Sequence, residues 1–247
     1  MGFGVSVMAF IAISIAAVFS AEWASAQYHV AVLAVFAVFF VGVMITLKHL
    51  RIFEMDPSPK ATRWFLVGLV AFAVLFPCAI AMLRDGAHGI TQAYERQTYE
   101  YVGDIGVTRT IQKLFGEYLK VHEYLSMHAK VHPPGPIALL WILSFVAGRE
   151  ALGLSLATIF VGALGVIPMY YWAADVAGKR AGLTAAMMYT LAPTIVLFTA
   201  TSADILFMPF VLTTLFLFWR AMHRGAENRM HAALYAIAAG AAYAACS

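Results

Sequence analysis

The residues with chemistry to offer are gathered in one stretch. From Arg84 to Pro136 the sequence reads Arg84-Asp85-Gly86, Tyr94-Glu95-Arg96, Tyr99-Glu100-Tyr101, Asp104, a run with helical spacing, and His128-Ala129-Lys130-Val131-His132-Pro133-Pro134-Gly135-Pro136. It is the only long polar segment in a chain whose other polar residues sit in short connectors. Glu95, Glu100 and Asp104 are interleaved with Tyr94, Tyr99 and Tyr101. A carboxylate so placed can act as a general base toward an acceptor hydroxyl, which contributes about 100- to 10,000-fold in rate. The plainer reading is a set of solvated carboxylates at a membrane surface, where tyrosines belong in any case.

Downstream, His128 and His132 are four apart, a spacing that a metal accepts on a helix. Pro133-Pro134 pushes the residue before it toward extended geometry, so His132 is expected to lie beyond any helix end. Lys130 or His132 donating to a phosphate suits the segment better, because hydrogen bonds involving charged groups contribute about 1.5 to 3 kcal/mol. Lys130 snorkelling at an interface is the alternative. Much later, Ser202-Ala203-Asp204 could cap a helix beginning near Ile205, and capping does not exclude a role in a site.

The elements that must position these groups lie in a membrane. Of the 247 residues, 62% are hydrophobic and 12% charged, and the mean hydropathy is +0.81. That composition excludes an ordinary soluble domain, and continuous rather than alternating apolar runs point to helices, not a barrel. A net charge of +3 does not suggest nucleic acid. Cys78 and Cys246 both lie in apolar runs and suggest neither a disulfide framework nor a metal site.

The apolar runs are Phe3 to Ala21, Tyr28 to Leu47, Trp64 to Leu83, Ile137 to Ala147, Ala151 to Ala173, Ala181 to Ala200, Ile205 to Trp219 and His231 to Cys246. The first is read as a retained helix. The signal-peptide alternative has a small-residue site at Ala24-Ser25-Ala26 but no preceding positive charge. Lys48, Arg51, Lys60 and Arg63 make the loop before the third run cytoplasmic, which places 84–135 on the outer face. If Ile137 to Ala147 spanned, Lys179-Arg180 and the Arg220, Arg224, Arg229 cluster would fall outside, against the charge rule. Eleven residues also reach only about half of a 30 Å hydrocarbon core. The expected fold is therefore an all-α polytopic membrane protein with about seven transmembrane helices, a half-depth helix from Pro136 to Gly148, and an outer loop. Residues 1–63 would form two N-terminal helices with the basic loop, and 64–247 the main transmembrane module. Pro77, Pro168, Pro193 and Pro209 lie within the predicted spans and would shape a cavity.

Within the outer loop, Ile111, Leu114, Phe115, Tyr118, His122 and Leu125 recur at helical spacing opposite Gln112, Lys113, Glu117, Lys120 and Glu123. That pattern predicts an amphipathic helix in the headgroup layer, or a lid on the other helices, and the two are compatible.

Taken together, Tyr99-Glu100-Tyr101-Val102-Gly103-Asp104, His132-Pro133-Pro134-Gly135-Pro136 with Leu140-Trp141, Ala181-Gly182-Leu183 through Ala192-Pro193, and Ser202-Ala203-Asp204 resemble the GT-C membrane glycosyltransferases. The branch they resemble most is the protein mannosyltransferase and aminoarabinose transferase group, glycosyltransferase family 39, over about Tyr94 to Arg220. The resemblance implies inverting transfer of a sugar from a polyprenyl-phosphate carrier to an acceptor on the outer face of a plasma membrane, in bacteria the periplasmic side. It makes Asp104 the first choice for the base and Glu100 the second. His132 takes the place of the basic residue before Pro-Pro that is often Lys in relatives and would hold the departing phosphate. An unperturbed imidazole is mostly neutral at pH 7, so Lys130 is the reserve. Asp204, with Ser202, matches the second acidic motif, where some members of the superfamily bind a divalent cation; whether a metal is needed stays open. The C-terminal half usual in such enzymes does not follow the matched part, so these 247 residues alone are not expected to turn over substrate. The implied partners are a lipid-linked sugar donor and membrane lipids, with the sugar and acceptor left open.

Two rival readings carry no chemistry. A transporter or flippase should hold ionisable residues near the bilayer midplane, whereas here they cluster at helix ends and in loops. A structural or assembly subunit with a docking loop would tolerate Asp104→Asn in the whole assembly.

Overall fold

The computed structural model describes residues 58–96, 98–224 and 228–245, together with positions 37, 41 and 42. Apart from positions 37, 41 and 42, the expected helices Phe3 to Ala21 and Tyr28 to Leu47 lie outside the described residues, as does most of the basic loop. Within them every regular element is helical and no strand occurs, so the chain is an all-α membrane protein.

The helices are α1 (Pro59–Asp85), α2 (His88–Glu95), α3 (Ile111–Val121), α4 (Met127–Val131), α5 (Gly135–Ala147), α6 (Ala151–Ala163), α7 (Val166–Ala177), α8 (Lys179–Leu191), α9 (Pro193–Thr199), α10 (Met208–Arg224) and α11 (Arg229–Ala244). Three stretches are long and apolar enough to cross a membrane: Pro59–Leu83, Ala151–Ala177 and Ala203–His223. The pair α8 and α9 makes a fourth if it is one span bent by 52°. These correspond to the third, fifth, seventh and sixth apolar runs. The last run forms α11, a 16-residue helix.

Local sequence sets the ends. Ser58 accepts from the Ala61 amide before Pro59, whose fixed φ and missing N–H suit a first helical position. Asn228 accepts from the amides of Met230 and His231 to open α11. The prolines within the predicted spans fall mostly at helix starts, and Pro193 opens α9 at the 52° bend after α8. Pro168, Pro193 and Pro209 lie in the opening residues of α7, α9 and α10, where no intrahelical N–H is required of them. Only Pro77 sits in a helix interior, that of α1.

The 13 residues of α5 rise about 20 Å, short of a hydrocarbon core about 30 Å thick, so the expected half-depth helix has the length anticipated for it.

Two glycines permit close packing. A Cβ at Gly89 would sit 2.0 Å from the Ala81 carbonyl oxygen, so only glycine lets α2 fold back against the end of α1. One at Gly182 would lie 2.7 Å from both the Ala174 Cβ and the Tyr170 carbonyl, where α7 and α8 run together.

Two cores result. One joins Phe65, Leu69, Val166, Leu183, Met187 and Leu212 among α1, α7, α8 and α10. The other lies under the outer-loop segment and packs Tyr94, Tyr101, Leu114, Leu125 and Ala129 against Ile137, Leu140 and Trp141 of α5, Leu154 of α6 and Leu206. The loop is thus a lid seated on the helices. Between α7 and α10, the Arg220 guanidinium donates Nη2 to Asp175 Oδ1 at 2.7 Å and Nε to Oδ2, and Nη1 reaches the Tyr235 hydroxyl of α11 at 3.4 Å. This charged tie sits toward the opposite end of α10 from Asp204.

Candidate active site

The polar segment folds around the short helix α4. Its first N–H groups are all met. The Ser126 amide lies between both Asp104 oxygens, at 3.0 and 3.2 Å, and Met127 N–H donates to the Thr98 carbonyl at 3.3 Å. His128 N–H donates to the Tyr99 carbonyl at 3.1 Å, and Ala129 N–H to Ser126 Oγ at 3.4 Å. The far end is held too: the Tyr118 hydroxyl lies 2.6 Å from the Ala129 carbonyl and 2.5 Å from that of His132, and His122 Nε2 lies 2.9 Å from the Lys130 carbonyl. Residues 98–104 and 126–132 are thereby fixed against each other by backbone groups that any side chain at positions 100 or 128 would inherit.

Four candidate side chains meet on this frame. Glu100 Oε2 lies 3.0 Å from His128 Nδ1. The Tyr101 ring is buried, with the His128 ring centred 5.8 Å and the His132 ring 5.9 Å from its own. Its hydroxyl donates to Asp204 Oδ1 at 3.1 Å, which joins the acidic loop to the residues after α9. Ser202 caps the turn Ala203–Phe207 by accepting from the Asp204 amide at 3.2 Å, leaving the Asp204 carboxylate to face Tyr101. Tyr94, on α2, adds a second tie to the helices by donating to Thr158 Oγ1 on α6 at 2.6 Å.

Electrostatics separate the carboxylates. Asp104 is only 4% exposed, and burial pushes its pKa above the usual carboxylate value; the Ser126 hydrogen bonds and the Lys130 charge oppose that shift only in part. Both its oxygens are engaged in holding α4. Glu100 is less enclosed and its partner is a side chain. Burial, reinforced by the Asp204 and Glu100 charges, raises the Tyr101 phenol well above its ordinary pKa, so it stays a proton donor. Burial raises Tyr94 in the same way.

His132 follows the last turn of α4 in an extended conformation, φ −123° and ψ 157°, as its place before Pro133 requires. It and Lys130 are exposed. His128 and His132 do not converge on a metal: among the described residues no group of three His, Cys, Asp or Glu side chains could hold one. The amphipathic pattern over 111–125 divides differently from expectation. Leu114 and Leu125 are buried with Ile111 and Tyr118 packed beside them, while Phe115 is 52% exposed on the outer side. The helix ends at Val121 and a 3-10 turn carries His122–Tyr124.

Two features escaped the sequence. Tyr101 read as an interfacial aromatic, yet it links residues 103 apart. Sequence spacing pairs His128 only with His132; its neighbour is Glu100, and no spacing rule connects positions joined through tertiary backbone contacts.

No curated protein and no solved structure matches the chain. Residues 131–245 match the family model described as dolichyl-phosphate-mannose-protein mannosyltransferase. The matched part takes in His132, the Pro133-Pro134 step, α5 and Asp204; Glu100, Asp104, His128 and Lys130 precede it. The match supports a membrane glycosyltransferase of the GT-C, mannosyltransferase-like type, with a lipid-linked sugar as the donor that the family implies.

Proposed function

We infer that the protein transfers a sugar from a polyprenyl-phosphate carrier to an acceptor hydroxyl at the outer face of the membrane, with inversion at the anomeric carbon. The acceptor oxygen attacks C1 from the side opposite the lipid phosphate, its proton passes to a base, and the C1–O bond breaks with its electron pair leaving on the phosphate. The observation that carries this reading is the Tyr101 to Asp204 hydrogen bond, which brings the loop cluster and the second acidic motif to one end of the helices. His132, exposed with Lys130 beside it at the end of α4, would meet the departing phosphate, and the positive charge of Lys130 would offset the charge developing there. Glu100 belongs to the acceptor side of the cluster, and Asp104 keeps α4 in position.

The direct test is transfer of radiolabel from polyprenyl-phosphate sugars in membranes containing the full-length protein, comparing wild type with Glu100→Gln and Asp104→Asn. A fall of about 100-fold or more in Glu100→Gln is expected. Full activity in both variants rejects the site.

A further inference from the structure

We propose that His128, oriented by Glu100, is the base that takes the acceptor proton. This rests on the sugar-transfer reading above and adds to it a residue and a division of labour. A carboxylate only accepts hydrogen bonds, so at 3.0 Å from Glu100 the Nδ1 of His128 carries the proton. In the neutral form of the ring Nε2 is then the unprotonated nitrogen, with a free electron pair. Exposure orders the pair in the same sense: the Glu100 side chain is 13% exposed and that of His128 is 45%, so the carboxylate backs the imidazole and the imidazole meets what arrives from outside.

The ring is held, not merely near. The His128 amide is bonded to the Tyr99 carbonyl, one residue before Glu100, so the backbones bearing the two side chains cannot separate without breaking that bond. Tyr101 packs beside both His128 and His132, which sets the proposed base next to the proposed phosphate contact. The molecule contains an instructive contrast. His88 and Glu95 also approach to 3.1 Å, but both belong to α2 and their side chains are 61% and 37% exposed, the pattern of a surface ion pair.

In the step itself the acceptor O–H proton moves to Nε2, the oxygen forms the new bond to C1, and the lipid phosphate departs with the electrons of the broken C1–O bond. The imidazolium formed is stabilised by Glu100 and returns its proton to water through its exposed edge. Glu100 is a positioning residue, because it acts through His128.

The test uses membranes containing the full-length protein, with a set of radiolabelled polyprenyl-phosphate hexoses and pentoses as donors and membrane extract as acceptor. His128→Asn keeps an N–H facing Glu100 but has no basic nitrogen, and it should lose about 100- to 10,000-fold in kcat. In His128→Ala, added imidazole should restore part of the transfer, a response that a structural role would not give. Glu100→Gln should retain more activity than Glu100→Ala, because the amide oxygen still accepts from Nδ1. Transfer by His128→Asn within about threefold of wild type, or failure of imidazole to rescue His128→Ala, overturns the dyad and leaves sugar transfer standing. Absence of transfer by wild type from every donor overturns both.

Discussion

The hydroxyl of Tyr101 donates to Asp204 across 3.1 Å, and that contact fastens the outer-loop lid to the turn that opens α10. Tyr101→Phe removes it while leaving the buried ring in place. A hydrogen bond to a charged acceptor contributes about 1.5 to 3 kcal/mol, and the solvent exposure of Asp204 reduces that here. The expected loss is about 0.5 to 1.5 kcal/mol in detergent unfolding, with faster hydrogen exchange across 98–104. Unchanged exchange there would show that the lid is held without this bond.

Asp104 should reveal itself through pH. Its folded pKa lies above the unfolded value near 3.8, so between those two values the folded protein binds more protons than the unfolded chain. The stability it contributes is fully present below the unfolded pKa and is lost as pH rises through the folded one. Thermal unfolding of wild type and Asp104→Asn, compared from pH 4 upward, should therefore show the difference moving in favour of the Asn variant as pH rises. Asp104→Ala, which leaves the buried Ser126 amide without an acceptor, should be worse than Asn by about 1 to 3 kcal/mol. Parallel pH curves for wild type and Asn would contradict the assignment.

How far the sequence could anticipate this arrangement depends on the range of the contact. The helices at Trp64 to Leu83 and Ile205 to Trp219 were legible because long unbroken apolar runs in a membrane have few ways to satisfy their backbone other than a helix. That α5 falls short of a span's length was legible from its apolar run. The bend between α8 and α9 was legible in outline from Pro193 within the run Ala181 to Ala200, but not its angle, because a proline at a helix start and one at a kink look alike in sequence. The ranking of Asp104 above Glu100 rested on motif position. What separates them physically is that Ser126, 22 residues away, claims both Asp104 oxygens while His128 meets Glu100, and neither partner is implied by spacing. Phe115 read as part of one apolar stripe with Leu114; the lid core takes one face of α3 and leaves the other outward.

The Arg220 and Asp175 pair should show strong coupling. Both nitrogens of the guanidinium fork engage the carboxylate, and the Arg220 side chain also lies 5.0 Å over the Phe216 ring. Removing either partner leaves a charge without its counterpart between α7 and α10. In a double-mutant cycle with Ala at both positions, the coupling energy should fall at about 1 to 3 kcal/mol. Additive effects within about 0.3 kcal/mol would reduce the pair to an accidental surface contact.

The outward face of the lid predicts where it meets lipid. Phe115 and Leu119 stand one helical turn apart on α3, with Tyr124, Met127 and Val131 exposed nearby, and Leu119 is 87% and Val131 75% exposed. Lys113, Lys120 and Lys130 are exposed in the same segment, so large apolar groups and cations are presented together. That combination suits a headgroup layer, where the rings and aliphatic chains enter the acyl boundary and the ammonium groups meet lipid phosphates. A solvated lid would instead leave five large apolar side chains in water at a cost that grows with each. Single cysteines at 119 and 120 carrying an environment-sensitive fluorophore, in liposomes of zwitterionic and anionic lipid, separate the two. The label at 119 should emit to the blue of that at 120 and be quenched more by nitroxides placed shallowly in the acyl chain than by nitroxides near its end. Equal emission at both positions would place the face in water, and the exposed stripe would then need a protein, not a bilayer, to cover it.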